Sequence, residues 1–163
     1  MTTEILLKTV LEQQLVGVLN HYHAPTIRYQ HLAFSSKDVL ILDELAGTLQ
    51  RLLPAYSLWN GEQANITQAP ASSCSRKQFV DQVFDAPHPG LIIQQPQYWF
   101  QHWPILEKQA FWSTLSERHG GHCVIVIFTE GNDFASINQH YFTPQPLDST
   151  AVTAWVSTKT SRL

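Results

Sequence analysis

The sequence lacks the features that define several broad functional classes. It contains no run of about eighteen apolar residues, the length that a membrane-spanning helix needs. Its ten Lys and Arg residues never cluster into a basic face for nucleic acid. Only 14% of the residues are charged, and the formal net charge is −3. A polar but largely uncharged surface fits a protein that meets another protein, so we expect a protein partner, no nucleic acid and no membrane.

Cysteine is scarce as well. Cys74 and Cys123 are far apart in the chain and lie in different contexts. We expect Cys123 to be buried at the start of a strand and Cys74 to lie in a surface loop, as two free thiols in a reducing cytoplasm. The N-terminal apolar stretch contains Glu4 and Lys8 and no small-residue cleavage site, so we expect no signal peptide.

The predicted elements follow the order found in a nucleotide-hydrolysing domain, but the acidic pair expected after the first of these strands is missing. Residues 90–95 are predicted to form a central buried strand, residues 104–118 an amphipathic helix, and residues 123–129 a second buried strand. This is a parallel βαβ unit, which in ATPases carries the carboxylates that organise magnesium and water. Gln94 and Gln95 stand there instead, and an amide cannot replace a carboxylate as a magnesium ligand or as a base.

A phosphate-binding loop is also missing. Residues 26–34 alternate between two faces and are predicted to form the first strand of the sheet. A P-loop protein would continue with a glycine-rich loop that ends in Gly-Lys-Ser/Thr. The residues from Ser35 to Asp38 contain no glycine, and Asp38 would repel a phosphate. We therefore expect no binding of ATP or GTP and no cofactor.

Periodicity and turn residues predict the other elements of a single domain that spans residues 1–163. The apolar run at 39–53 looks like the acidic strand of an ATPase, but the spacing of its leucines favours a helix, with Ser35 and Asp38 as a capping box and Pro54 as its end. The remaining predictions are a helix at 3–20 within an N-terminal helix or arm (1–25), a strand at 56–59, a loop at 60–73, a helix at 75–84, strands at 139–142 and 151–157 with Pro144 and Pro146 between them, and a frayed tail at 158–163. In the helix at 104–118 the predicted inward face is Leu106, Ala110, Phe111 and Leu115.

The histidines near the N-terminus admit two interpretations. His21 and His23 could join His31 in a metal site, but no carboxylate or cysteine accompanies them at ligand spacing. A polar loop that ends the first helix is the favoured interpretation, and we expect no metal.

Four aromatic residues lie within six positions after the strand at 90–95, from Tyr98 to Trp103. They follow the carboxyl end of a parallel strand, which is the usual ligand edge of such sheets. Two interpretations stay open: the rings cover the sheet edge as part of the core, or they form a partner surface or a base-stacking platform. We predict a partner surface at this edge, near Tyr56, Trp59 and the segment from Tyr98 to Trp103.

The predicted order of elements is that of a RecA-like α/β domain without a phosphate loop, and it resembles the SulA family of SOS-induced cell-division inhibitors. The leucine-rich helix at 39–53 runs directly into Tyr56-Ser57-Leu58-Trp59, similar to the family's leucine-rich helix and its Trp-containing strand, and Glu62-Gln63 follow at a similar offset. Residues 74–99 are similar to the family's short helix and central strand, and residues 103–128 to its acidic helix and next strand. The likeness covers residues 26–130, mostly by spacing and apolar pattern.

The resemblance implies a three-layer RecA-like fold with a mainly parallel sheet and a degenerate nucleotide site. It implies a cytoplasmic, non-catalytic protein that blocks septum formation during the SOS response to DNA damage by binding the tubulin-like division protein FtsZ, without nucleotide, and it leaves a homodimer open. The family's contact segment has an Arg before the aromatic strand and an apolar residue after it, where this chain has Ala55 and Asn60. The predicted partner-binding residues are Tyr56, Trp59, Asn60, Tyr98, Trp99 and Trp103.

Two other functions are weighed against this one. The alternative is a degenerate ATPase-like accessory subunit of a bacterial DNA-processing or phage-defence assembly, because the same missing acids fit it. An enzyme that uses a His or a Cys is disfavoured, since no nucleophile–base pair can be identified in the sequence.

Overall fold

The computed structural model describes residues 2–23, 31–62, 76–79, 90–96, 103–117, 123–130, 141–147 and 150–158. Within these ranges helices lie on both faces of one sheet. The helices are α1 (Thr2–Tyr22), α2 (Val39–Leu52), α3 (Arg76–Phe79) and α4 (Ile105–Glu117), and the strands are β1 (Leu32–Ser36), β2 (Ser57–Asn60), β3 (Leu91–Gln94), β4 (Val124–Thr129), β5 (Phe142–Leu147) and β6 (Val152–Ser157). No helix among these residues is both long enough and apolar enough to cross a membrane.

The six strands form a mixed sheet in the order β2-β3-β4-β1-β6-β5. The pairs β2–β3, β3–β4 and β4–β1 are parallel, and β6 and β5 add an antiparallel hairpin beside β1. The predicted α/β class with a mainly parallel sheet is confirmed. The prediction that the strand at 90–95 is central is wrong, because β4 inserts between β3 and β1 and leaves β3 next to the edge strand β2.

Alternating strand residues bury both faces of the sheet. Ala33, Ile93 and Val126 lie in a core shared with α3 and α4. Phe34 and Ile125, on the opposite face, lie in a core shared with α1 and α2. This continuous burial of the inner strands is typical of a parallel sheet covered by helices on both sides.

The first helix is docked through its second half. Leu11, Leu15 and Leu19 are buried in the same core as α2. The predicted helix is therefore confirmed and extends to Tyr22. Residues 24–30, which hold the first part of the predicted strand at 26–34, lie outside the described residues.

The run at 39–53 is a helix, as predicted. Asp38 is its N-cap, and a carboxylate oxygen of Asp38 accepts a hydrogen bond from the backbone N–H of Leu40 at 3.0 Å. The predicted capping box with Ser35 is wrong, because Ser35 is the fourth residue of β1 and its side chain is used inside the sheet. Ser36 lies in the same strand, and its hydroxyl oxygen accepts the N–H of Asp38 at 3.1 Å.

Two predictions near the C-terminus need correction. The strand predicted at 139–142 does not end at Phe142, since β5 runs from Phe142 to Leu147. Pro144 and Pro146 were expected between the last strands, but both lie within β5. The strand tolerates them because β5 is an edge strand, so a residue without an N–H can face away from the ladder. The alternation of β6 is confirmed, with Val152, Ala154 and Val156 buried. Parts of the predicted helix at 75–84, the loop at 60–73 and the tail at 158–163 lie outside the described residues.

Helix α4 buries a face that is rotated from the predicted one. Phe111 and Leu115 are buried as expected, and Trp112 joins them. Leu106, predicted to face inward, is 74% exposed. The hydroxyl of Ser157, at the end of β6, donates to the carbonyl oxygen of Ser116 at 2.7 Å. Because β6 runs antiparallel to β1, this bond places the last turn of α4 at the amino edge of the parallel strands and its first turn towards the carboxyl edge.

Candidate functional site

The carboxyl edge of the sheet contains a concave site, which we call the amide cleft. It has a volume of about 280 Å³ and lies where β3 and β4 end and α2 begins. Such crevices at the carboxyl ends of parallel strands are the usual binding places of open α/β sheets. The lining residues are Val39, Leu42, Asp43, Glu62, Gln94, Gln95, Ile127, Phe128 and Thr129.

The side chain of Gln94 links three elements at this cleft. It is 9% exposed, its Oε1 accepts from Nδ2 of Asn60 at 3.4 Å, and its Nε2 donates to Oδ1 of Asp43, also at 3.4 Å. The carbonyl oxygen of the Asn60 side chain accepts the backbone N–H of Glu62 at 2.9 Å. The last residue of β3 is therefore a buried neutral amide that bridges β2 and α2, and this side chain cannot itself accept a proton from a water molecule.

The next residue, Gln95, adopts a left-handed backbone conformation with φ of 53°. Outside glycine this conformation costs about 1–2 kcal/mol. Gly61, which follows β2, lies against this turn, and a Cβ at Gly61 would overlap the carbonyl oxygen of Gln95. The close approach of these two strand ends beside the cleft thus depends on a glycine after β2 and on a strained glutamine after β3.

A side chain of the chain itself caps the first turn of α2, at the place where a helix could otherwise bind an anion. In P-loop proteins the N–H groups at the corresponding helix start bind phosphate. Here the Asp38 carboxylate caps the helix, as described above, and places a negative charge at that position. Ser35, predicted to begin a loop, instead belongs to β1. The Ser35 hydroxyl donates a hydrogen bond to Oε1 of Glu130 at 2.8 Å and accepts one from Nε1 of Trp155, also at 2.8 Å.

The aromatic residues of the predicted partner surface lie in different environments. Trp103 is only 6% exposed and packs against Phe79 and Phe111, with ring centroids 5.9 and 6.2 Å away. Trp59 is half-buried against the same Phe79 ring at 5.1 Å. For Trp103 the structure thus supports the core interpretation. Tyr98 and Trp99 lie outside the described residues, and Asn60 belongs to the amide cleft network.

Tyr56 lies at the opposite edge of the sheet from the one predicted. It precedes β2, its ring lies against Gly90 at the start of β3, and its hydroxyl hydrogen-bonds Nε2 of His23 at 2.7 Å and the Cys123 thiol. The expectation that it lies near the carboxyl edge is therefore wrong. Burial raises the pKa of Tyr56 well above its ordinary value and also raises the pKa of Cys123, although the hydrogen bond from Tyr56 partly lowers the latter.

The histidines at this amino edge have structural contacts. His23 is buried and bonded to Tyr56, and Nδ1 of His31 accepts the backbone N–H of Val124 at 3.1 Å. Within the part of the chain that the structure describes, no three His, Cys, Asp or Glu side chains come together as a metal site. Cys123 has a free thiol and is half-buried, not fully buried as expected.

Sequence reasoning missed a set of exposed apolar residues at the carboxyl edge. They lie in the first turns of α2 and α4, and their exposed fractions are 59% for Val39, 76% for Leu40, 53% for Ile105 and 74% for Leu106. The sequence signal is an apolar pair directly after a helix start, outside the buried stripe. Helical periodicity alone assigns such residues to the core.

Comparison of the chain with protein-family models, with curated proteins and with solved structures finds no match.

Proposed function

We propose that the chain is a non-catalytic protein-binding module whose partner docks at the carboxyl edge of the sheet. The observation that carries this proposal is the pair of exposed apolar turns, Val39-Leu40 and Ile105-Leu106. Fully burying one exposed Leu or Val side chain contributes about 1.5–3 kcal/mol. A partner that covers these turns therefore buries apolar side chains that the isolated domain leaves mostly exposed.

The chemistry of the edge supports a role without catalysis. The position that would carry an acid holds Gln94, and the helix start that would bind phosphate is capped by Asp38. Four parallel strands in the order β2-β3-β4-β1, with helices on both faces and a cleft at their carboxyl ends, are compatible with a RecA-like domain whose nucleotide site is degenerate.

The resemblance to the SulA family supplies the specific form of the proposal. The partner is then FtsZ, and the chain is a cytoplasmic inhibitor of septum formation in the SOS response. Leu40 and Leu106, at the carboxyl edge where parallel sheets usually bind their ligands, are the contact residues that we propose in addition to Trp59 and Asn60.

The test is inhibition of FtsZ assembly, followed by light scattering, with the wild type and the double variant Leu40→Gln/Leu106→Gln. Loss of one interface anchor typically costs ~2 kcal/mol or more, so the variant should inhibit at least about tenfold more weakly at an unchanged melting temperature. Val16→Gln is the control, since Val16 is also exposed, at 38%, but lies on α1. An inactive wild type would remove FtsZ as the partner, and full inhibition by the double variant would remove the carboxyl edge as the contact surface.

The second candidate is a degenerate ATPase-like accessory subunit of a DNA-processing or phage-defence assembly. It is favoured by the cleft itself, which keeps the position of a nucleotide site while its acid is an amide. Co-expression with the products of neighbouring genes separates the two proposals. Stable co-purification that depends on Leu40 and Leu106, with no effect on FtsZ, would support the accessory subunit.

A further inference from the structure

We infer that the amide cleft binds the basic side chain, Lys or Arg, of a partner segment whose apolar residues pack on Val39 and Leu40. This inference rests on the proposed protein-binding function, but it does not require that the partner be FtsZ. It assigns the chemistry of the contact: one cation inserted into the cleft, with apolar residues beside it.

The amide cleft is lined by negatively charged side chains. Asp43 reaches it from α2 and Glu62 from just after β2, and the lining residues that the structure describes include no Lys, Arg or His. Among the residues that the structure describes, neither carboxylate has an ion-pair partner. Asp43 accepts a hydrogen bond from Gln94 at 3.4 Å. Two carboxylates on a concave surface therefore repel an anionic ligand and favour a cation.

The second step is the match of hydrogen-bonding groups. The two carboxylates and the side-chain oxygen of Gln94, which has one long 3.4 Å hydrogen bond from Asn60, are acceptors. Lys and Arg side chains are donors without any acceptor, with three N–H groups in Lys and five in Arg. Charge-assisted bonds of this kind are roughly twice as strong as neutral ones.

The third step is size and surroundings. The cleft has a volume of about 280 Å³, which is enough to hold a single side chain. Val39 forms part of its wall, and Leu40 is exposed beside it. A basic residue flanked by apolar residues fits this combination.

The probe is the blocked tripeptide Leu-Arg-Leu, with Leu-citrulline-Leu as its neutral isostere, titrated into the ¹⁵N-labelled full chain. The arginine peptide should shift the amide resonances of residues 39–43, 62 and 94–95, and its Kd should be at least about tenfold lower than that of the citrulline peptide. Asp43→Asn and Glu62→Gln should each remove most of this preference. Glu117→Gln, which removes one charge at the exposed end of α4, should keep it.

Three results would overturn the inference: equal affinity for both peptides, an equal loss in Glu117→Gln, or calcium ions alone shifting the same amides with a lower Kd than the arginine peptide. The spectrum of each variant reports whether it is folded. Arginine-dependent binding without any effect on FtsZ would keep the cleft and remove FtsZ. Inhibition of FtsZ that is unchanged in Asp43→Asn, together with equal peptide affinities, would keep FtsZ as the partner and remove the cleft as a binding site for a basic side chain.

Discussion

Trp103 and Leu106 are three residues apart and provide a direct test of core against surface at the start of α4. Trp103 is 6% exposed and packs edge-on or tilted against two phenylalanine rings, whereas Leu106 is 74% exposed. We predict that Trp103→Ala destabilises the domain strongly and that Leu106→Ala leaves stability unchanged but weakens partner binding. The aromatic side chain was one of the residues that the sequence placed in the partner surface.

The magnitude follows from burial. A buried aromatic side chain removes about 150–250 Å² from water, which at about 25 cal/mol per Å² gives roughly 4–6 kcal/mol as an upper bound. Measured losses for truncating buried Phe or Trp to Ala are about 3–5 kcal/mol. For a chain of this length, that loss corresponds to a melting temperature lower by roughly 6–20 °C. Truncating an exposed leucine removes little buried surface, so the free energy of unfolding of Leu106→Ala should stay within about 0.5 kcal/mol of that of the wild type.

The assay is urea unfolding followed by far-ultraviolet circular dichroism, which does not depend on the fluorescence of the deleted ring. An unchanged slope of free energy against urea, with a shifted midpoint, shows that stability has changed and not the extent of unfolding. A loss below about 1 kcal/mol for Trp103→Ala would refute the assignment of this ring to the core. A similar loss for both variants would refute the contrast between the two positions.

Gly61→Ala should destabilise the domain because its Cβ meets the carbonyl oxygen of Gln95, whereas Gly47→Ala, in open space on α2, should raise the free energy of unfolding by about 0.5–1 kcal/mol; urea titrations that give the same sign for both would contradict this. Since burial raises the pKa of Cys123, a thiol reagent at pH 8 should label it more slowly than a free thiol in a variant without the other cysteine, and Tyr56→Phe should slow the reaction further by removing the hydrogen bond that favours the thiolate. Labelling at the rate of a free thiol would show that this argument is wrong. Calorimetry with magnesium ATP and GTP should detect no binding, because a carboxylate caps the helix start that would bind phosphate; a micromolar Kd would contradict it.

Local sequence patterns predicted most of the helices and strands correctly. The spacing of leucines distinguished a helix from a strand at 39–52, and alternation identified β6. Both predictions succeeded for the same reason. The buried face of a helix repeats every 3.6 residues and that of a strand every 2 residues, so a short stretch of sequence is enough to show it. The replacement of an acid by Gln94 could also be identified, since it follows directly from an apolar run.

The candidate site was only partly predictable. The amide cleft joins residues 43, 62 and 94, and hydrogen bonds connect the side chain of Gln94 to those of Asp43 and Asn60, which are far from it in sequence. Tyr56 was placed at the wrong edge although it opens the predicted strand at 56–59, because the first residue of a parallel strand lies at the amino edge of the sheet. Pro144 and Pro146 suggested a break, since only the position of β5 at the sheet edge makes them tolerable.

What the sequence determined by itself is the α/β character, the type of most elements, the two glutamines in place of an acidic pair after the apolar run, and the lack of a glycine-rich loop, because each of these depends on residues within one turn or one strand. The tertiary structure alone decided the strand order with β4 between β1 and β3, the burial of Trp103 and Trp112, and the exposure of Leu40 and Leu106. Removing an apolar side chain from water is favourable in free energy, but this effect has no direction and does not determine which neighbouring residue covers the side chain. Only the packing of both helical layers on the sheet shows which apolar residues remain exposed.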